Sequence, residues 1–381
     1  MPISRRHFLK FISLGAASTQ LSLLTACTHR KFYNPDQDIL LGGGRYNRDD
    51  KIHHVLAVVN LQQRNKELVD LDFLAHGIII DPNDKKRLIM FEKIGPGAAV
   101  VDLNTHTVSK KITTTADKYF YGHGAFDKAG DTLFCTETYI DSHKGIVAIR
   151  DGKTLQSIGE FPSYGENPHE CQLINDGTTL VVTNAGSEKS SKTQPSVTYI
   201  DVASQKLVER VSLTNEQLNT GHIGIANDGS LIVASAPKKG LESTHPGGVS
   251  IRSGGQTMLS MSEPEMVIDK MTGEALSVAI DEKNNIAAVT HPDGNMVTFW
   301  SIDRRELIKA MSVPKPRGVT LSLDEKSFIV SYDVNTSIVL IDTKNLTAST
   351  DTIMQPTFIS GSHIYNWSKT LQEIMPTDIY T

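Results

Sequence analysis

Five histidines stand at matching places along this 381-residue chain: His76, His123, His169, His222 and His363. Each opens a short apolar run, and two further copies of the pattern carry Ser277 and Arg317 at the same place. Successive positions are 47, 46, 53, 55, 40 and 46 residues apart. With only 13 histidines in 381 residues, five in seven equivalent places is a matter of register, not chance. Neutral imidazole suits Cu, Fe, Zn or Ni. Convergence of several rings would make a transition-metal site, with Cu, Fe or Zn the ions expected, without any local two-ligand motif. A plainer use is equally open: a repeated histidine can hydrogen-bond the neighbouring strand in every repeat. Glu170 follows His169, and Glu137 ends a nearby strand. Either could orient an imidazole through its other ring nitrogen, and Arg317 could join the histidines in holding an anionic ligand.

The elements that must position these residues are strands. Helical periodicity is nearly absent. What recurs is a short strand, a turn with Asp, Asn or Gly, and a second strand rich in Val and Ile, as in Pro168-His169-Glu170-Cys171-Gln172-Leu173 followed by Asp176-Gly177-Thr178-Thr179-Leu180-Val181-Val182. A polar loop and a third strand follow. Four short strands per 40–50 residues is the mark of a β-propeller. The expected fold is therefore all-β, a seven-bladed propeller with repeats like those of quinoprotein dehydrogenases (the YVTN type). Six repeats are complete. The seventh is expected to be split between the termini, with inner strands from His363 to Pro376 and outer strands His54–Val59 and Glu67–Leu71. Such a closure removes open sheet edges, which invite aggregation. The innermost strands of a propeller line its central channel, so the seven positions would surround one mouth. Asp81-Pro82-Asn83-Asp84 and Asn227-Asp228-Gly229 read as the tight turns each blade needs.

The first residues carry an address. Ser4-Arg5-Arg6-His7-Phe8-Leu9-Lys10 is a twin-arginine motif, and a soft apolar run from Phe11 to Leu24 follows it. That run is too short for a permanent span of about 20 apolar residues and reads as a signal sequence. Leu24-Thr25-Ala26-Cys27 then matches a lipobox. The expected organisation is a signal peptide over 1–26, a lipidated tether over 27–51 and the propeller over 52–381, in the periplasm and held to a membrane through acylated Cys27. Several acyl chains anchor firmly where one does not. Removing the signal takes away three basic residues and leaves 35 basic against 43 acidic side chains, a net charge of −8. Nucleic acid, which needs basic patches, is excluded as a partner. Cys135 and Cys171 are the only cysteines beyond Cys27. In an oxidising compartment they could form a disulfide; two buried thiols are the alternative. The chain has no Gly-rich phosphate loop, no Cys-x-x-Cys-His haem attachment and no Gly-x-Ser-x-Gly elbow.

Several stretches resemble a known family. They are Tyr121-Gly122-His123-Gly124-Ala125-Phe126, Thr136-Glu137, Ile158-Gly159-Glu160-Phe161-Pro162-Ser163, Pro168-His169-Glu170 and Leu180-Val181-Val182-Thr183-Asn184-Ala185-Gly186. Ser277-Val278-Ala279, His291-Pro292-Asp293-Gly294 and His363 also fit. From about Gly42 to Trp367 the chain is similar to the bacterial, exported, seven-bladed propellers catalogued as domain of unknown function 1513. Leu74-Ala75 and Glu92-Lys93-Ile94-Gly95-Pro96-Gly97 stand where that family usually has arginines. The resemblance implies a link to iron handling, with periplasmic iron-handling or redox proteins as partners, because imelysin-like and di-haem oxidoreductase-like genes lie near those of the family. It implies no established activity.

Three functions fit these residues. One is a membrane-tethered binding or accessory protein whose histidine-rich mouth captures a metal. Another is a propeller enzyme acting at the channel mouth, quinoprotein-dehydrogenase-like or lactonase-like; a lactonase would need a carboxylate, a histidine and an arginine to converge, for which Glu137, His169 and Arg317 are the candidates. The last is a structural interaction scaffold.

Overall fold

A computed structural model describes residues 32–187 and 193–374. The twin-arginine motif and Cys27 lie outside the described residues. The strands all belong to the compact unit that begins at Pro35. No helix among the described residues is long and apolar enough to cross a membrane.

The chain is an all-β propeller. β1 (Ile39–Arg48), β2 (Lys51–Asn60) and β3 (Asn65–Leu71) form the first sheet. Next come β4 (Ala75–Asp81), β5 (Asp84–Gly95), β6 (Gly97–Asp102), β7 (Thr107–Thr113), β8 (Lys118–Phe126), β9 (Thr132–Tyr139), β10 (Lys144–Asp151) and β11 (Ser157–Glu166). β12 (Pro168–Ile174), β13 (Thr179–Asn184), β14 (Ser196–Asp201) and β15 (Leu207–Val211) make one sheet, and β16 (His222–Ile225), β17 (Leu231–Ser235), β18 (Gly248–Arg252) and β19 (Leu259–Ser260) another. β20 (Val278–Asp281), β21 (Ile286–His291), β22 (Met296–Ser301) and β23 (Glu306–Ser312) follow, then β24 (Val319–Leu321), β25 (Ser327–Tyr332), β26 (Ser337–Asp342) and β27 (Ala348–Met354). β28 (Tyr365–Asn366) joins the first sheet beside β1.

Burial along the strands follows their place in a sheet. β21 and β22 bury every residue, as strands covered on both faces must. β23, the outermost of the same sheet, alternates exposed and half-exposed residues, the period-two pattern of a strand with one wet face. The core lies between neighbouring sheets. Fully buried Trp300 packs with Ile232, Val249 and Ile251 of one sheet and with Ala287 and Val289 of its own. Its indole N–H donates to Thr298 Oγ1 at 2.7 Å, which satisfies the polar end of an otherwise apolar side chain.

Hydrogen bonding corrects the expectation of seven separate blades. Five blades stand as discrete four-stranded sheets, while β4 to β11 form one continuous eight-stranded sheet. The cause is the length of β5. Its 12 residues pair with β4 and β6 and then reach β8 through Lys93↔Tyr121 and Gly95↔Phe120. The expected closure by strands from His363 to Pro376 is corrected too. Among the described residues of that span only Tyr365–Asn366 is strand, paired at Leu41↔Tyr365 and Leu40↔Asn366, and Trp367–Ile374 is a helix.

Two smaller expectations also change. Residues 39–48, read as tether, form β1, in register with β2 from Ile39↔Asn60 to Arg48↔Lys51. Gly42-Gly43-Gly44 is needed for close approach: a Cβ on Gly43 would overlap the Ala75 carbonyl, and one on Gly44 the Phe358 carbonyl. Cys135 and Cys171 are buried free thiols, not a disulfide. Successive strand residues face opposite sides. On β9 it is Phe134 that packs against Cys171, so Cys135 faces the other way, among Ile89, Phe91 and Phe120.

Candidate metal centre

His76 and His169 are the second residues of β4 and β12, His222 opens β16, His123 is the sixth of the nine residues of β8, and His363 lies just before β28. All five are buried, with exposures between 1% and 8%. Their register brings them into contact. The His76 ring centroid lies between 4.9 and 5.3 Å from those of the other four. His222 is 4.4 Å from His169 and 4.2 Å from His363. One ring nitrogen from each of His76, His123, His169 and His222 falls within 4.8 Å of the others, so these four could hold a metal ion.

Glycine makes the crowding possible. Gly122 precedes His123 with φ +112°, a conformation that only glycine adopts without strain. A Cβ there would stand 2.6 Å from His76 Cδ2 and 3.5 Å from His169 Cε1.

The outer nitrogens fix the tautomers. His169 Nδ1 is 2.7 Å from the Tyr121 carbonyl oxygen, which can only accept, so Nδ1 carries the proton. His222 Nδ1 likewise donates to Glu170 Oε2 at 3.2 Å. A neutral imidazole has one N–H, so both Nε2 atoms present lone pairs to the cluster. They face each other at 3.2 Å, and His169 Nε2 is 3.3 Å from His76 Nε2. Nitrogens bound at 2.0–2.1 Å to one tetrahedral ion stand about 3.3–3.4 Å apart. His123 Nε2 and His363 Nε2 are buried and have no hydrogen-bond partner.

Burial is the largest cause that holds His76, His123, His169 and His222 well below the ordinary imidazole value. His363 is brought down to about 4 for the same reason. The rings are therefore neutral, the form that ligates. The Lys93 ammonium adds a positive field at all five.

The other sequence candidates separate. Glu170 lies against the cluster: besides His222, its Oε2 accepts from the Ile223 N–H at 2.9 Å, and its Oε1 accepts from Gln172 Nε2 at 3.2 Å. Glu137 does not orient an imidazole. It is buried against Arg150, Nη2 to Oε1 2.7 Å, and the guanidinium lies 5.2 Å over the Phe120 ring. A convergence of Glu137, His169 and Arg317 is therefore corrected. Arg317 stays beside the cluster, its Nε donating to the Gly361 carbonyl at 3.0 Å. Ser277 accepts the Val319 N–H at 3.2 Å and borders a cavity of about 260 Å³ shared with His222, His363, Glu170 and Tyr365. Asp81 and Asp228 serve their turns, accepting from the N–H groups of Asn83 and Ser230. Lys93 and the Tyr121 carbonyl were not among the site residues expected. Lys93 could have been noticed as the one basic group left where the family's Arg-Pro-Gly would stand; a main-chain acceptor leaves no trace in residue types.

Known proteins resemble the chain mainly in fold. Similar solved structures include Kuenenia stuttgartiensis hydrazine synthase, with TM-score 0.63 and 15% identity over 77% of this chain and 92% of that one. Another is dihydro-heme d1 dehydrogenase NirN in complex with DHE, with TM-score 0.56 and 12% identity over 87% and 69%. At such identities the likeness shows the propeller fold alone. No curated protein sequence matches the chain. The sequence profile described as protein of unknown function (DUF1513) matches residues 69–358, three-quarters of the chain, and the protein belongs to that family.

Proposed function

We propose that this protein is a metal-binding propeller, with one transition-metal ion held by Nε2 of His76, His169 and His222 together with His123. The observation that carries it is the pair of lone pairs on His169 and His222, buried and 3.2 Å apart. A cation between them turns repulsion into ligation. Glu170 behind His222 is the carboxylate–histidine arrangement that fixes a ligand ring and raises its basicity. Among Cu, Fe and Zn, an all-imidazole set favours Cu(II) in direct competition. One solved neighbour is named as a dihydro-heme d1 dehydrogenase, but imidazoles in mutual contact leave no room for a macrocycle between them, which favours a bare ion.

The test is X-ray absorption on the copper- or zinc-loaded protein. A first shell of imidazole nitrogens at about 2.0–2.1 Å is expected; a shell of oxygens alone would overturn the assignment. The order of the twin-arginine motif and the lipobox supports placing this site in the periplasm, on a protein tethered through Cys27, as a binding or accessory component beside iron-handling or redox partners. Cys27→Ser should then move the protein from the membrane to the soluble fraction; retention after a salt wash would contradict the anchor.

A further inference from the structure

We propose that the ion reaches the histidines through the channel that runs in from the helix Trp367–Ile374, and that Glu373 is the group that draws the hydrated divalent cation into it. The inference rests on the metal reading and adds to it a direction of entry and a capturing residue.

The two sides of the cluster differ. On one side Ala75, Asn167, Thr220 and Leu276, at the approaches to β4, β12, β16 and β20, are at most 2% exposed. β5 ends beside Ala75 through the pair Ala75↔Glu92, and Glu274 leads into β20. The ion pair Lys93–Glu274, at 3.8 Å, therefore ties two sheets together on this closed side. Past the histidines the pattern reverses. Gln172, Leu173 and Ile174 of β12, Ile225 of β16 and Val278 to Ile280 of β20 are partly exposed.

Two cavities cause that exposure. The inner one, of about 260 Å³, touches His222, Ser277 and His363 at one end and Lys369 and Glu373 of the helix at the other. The outer one, of about 820 Å³, reaches the exposed turn residues Asn175, Asp176 and Asp228. Gln172, Tyr365 and Glu373 border both, so the two make one path from the turns to the cluster.

The charge along the path suits a cation. Among the described residues, Glu170 and Glu373 border the inner cavity against Lys369, and Asp127, Asp176 and Asp228 border the outer one against Lys128. Lys369 does not neutralise Glu373 by itself. Its Nζ donates to Glu325 Oε1 and stands 3.5 Å from Glu373 Oε1, so one ammonium serves two carboxylates. Glu373 is exposed where the two cavities meet. A cleft lined by one sign of charge raises the arrival rate of the opposite ion. At the inner end stand His222, a ligand, and His363, whose Nε2 has no hydrogen-bond partner.

The test is the rate at which the metal-free full chain takes up Cu(II), followed by stopped-flow absorption of the copper–imidazole bands. Glu373→Lys should slow uptake about tenfold at low salt and by less at high salt, with the same copper content at equilibrium. Thr320→Trp puts an indole into the inner cavity from a partly exposed position of β24 and should slow uptake at least as much. Glu274→Gln loosens the closed side and should leave the rate unchanged. An unchanged rate in Glu373→Lys or in a folded Thr320→Trp would overturn the route and leave the metal site standing. So would a lower final copper content in Glu373→Lys, or faster uptake in Glu274→Gln. If Thr320→Trp does not fold, Glu373→Lys decides alone. A chain that takes up no copper would remove both the route and the metal site.

Discussion

His169 and His222 point unprotonated Nε2 atoms at each other across 3.2 Å, because the Tyr121 carbonyl and the Glu170 carboxylate hold their protons on the far sides. Without a cation the available relief is protonation of one ring, and burial opposes it. The outer partners thus matter as much as the ligands. Glu170→Gln keeps an acceptor but gives up the charge. Metal affinity is expected to fall about 10–100-fold with the fold intact, measured by competition with a chromophoric chelator. Unchanged affinity would show that the carboxylate orients nothing.

Gly122→Ala is expected to disturb both fold and site, since its Cβ meets His76 and its φ is +112°. Backbone strain alone costs about 1–3 kcal/mol. Gly229→Ala supplies the control, with φ +81° and nothing within 4 Å of the new Cβ. Urea midpoints should fall for both variants, and metal uptake only for Gly122→Ala. Equal uptake in the two would mean that the close approach of Gly122 to His76 is dispensable.

Glu137 and Arg150 form a buried pair with side-chain exposures of 3% and 6%. Arg150→Met strands the carboxylate, which burial already pushes up, and a cost of about 3–5 kcal/mol is expected. Adding Glu137→Leu should recover part of that loss in denaturant titrations, and neither variant should change metal affinity. A double variant less stable than Arg150→Met would contradict the stranded-charge account.

His291 supplies a pH dependence away from the cluster. Burial lowers it to about 3, against about 6.5 in the unfolded chain. A depressed folded value gives stability that is present above the unfolded value and lost as pH falls from about 6.5 towards 3, by up to about 1.4 kcal/mol per pH unit. Between pH 7 and 5, His291→Asn should therefore lose about 2 kcal/mol less than wild type in urea unfolding. Parallel losses would mean that His291 is already protonated in the fold.

The register of the histidines was legible because each inner strand restarts the same pattern, and only a propeller brings positions 40–55 residues apart to one place. Their contact was not legible: it depends on Gly122, whose φ lets His76 and His169 close in. β1 was hidden because Gly42-Gly43-Gly44 has the composition of a tether, and its role appears only when Ala75 and Phe358 are seen against it. The eight-stranded sheet was hidden because the repeat shows where β5 pairs within its own blade, not that Lys93 and Gly95 run on to β8. Glu137 looked available because its partner, Arg150, is fixed by the pairing of β9 with β10, which residue types do not announce.

The central claim is tested most directly by counting copper, iron and zinc per chain by mass spectrometry, in the wild type and in a His169→Ala/His222→Ala variant, after equal exposure to each ion. About one ion per chain is expected in the wild type, with loss of at least tenfold in the variant, since two of the ligand nitrogens go together. Substoichiometric metal in the wild type, or equal metal in both proteins, would contradict the metal site and leave five histidines that only pack against one another.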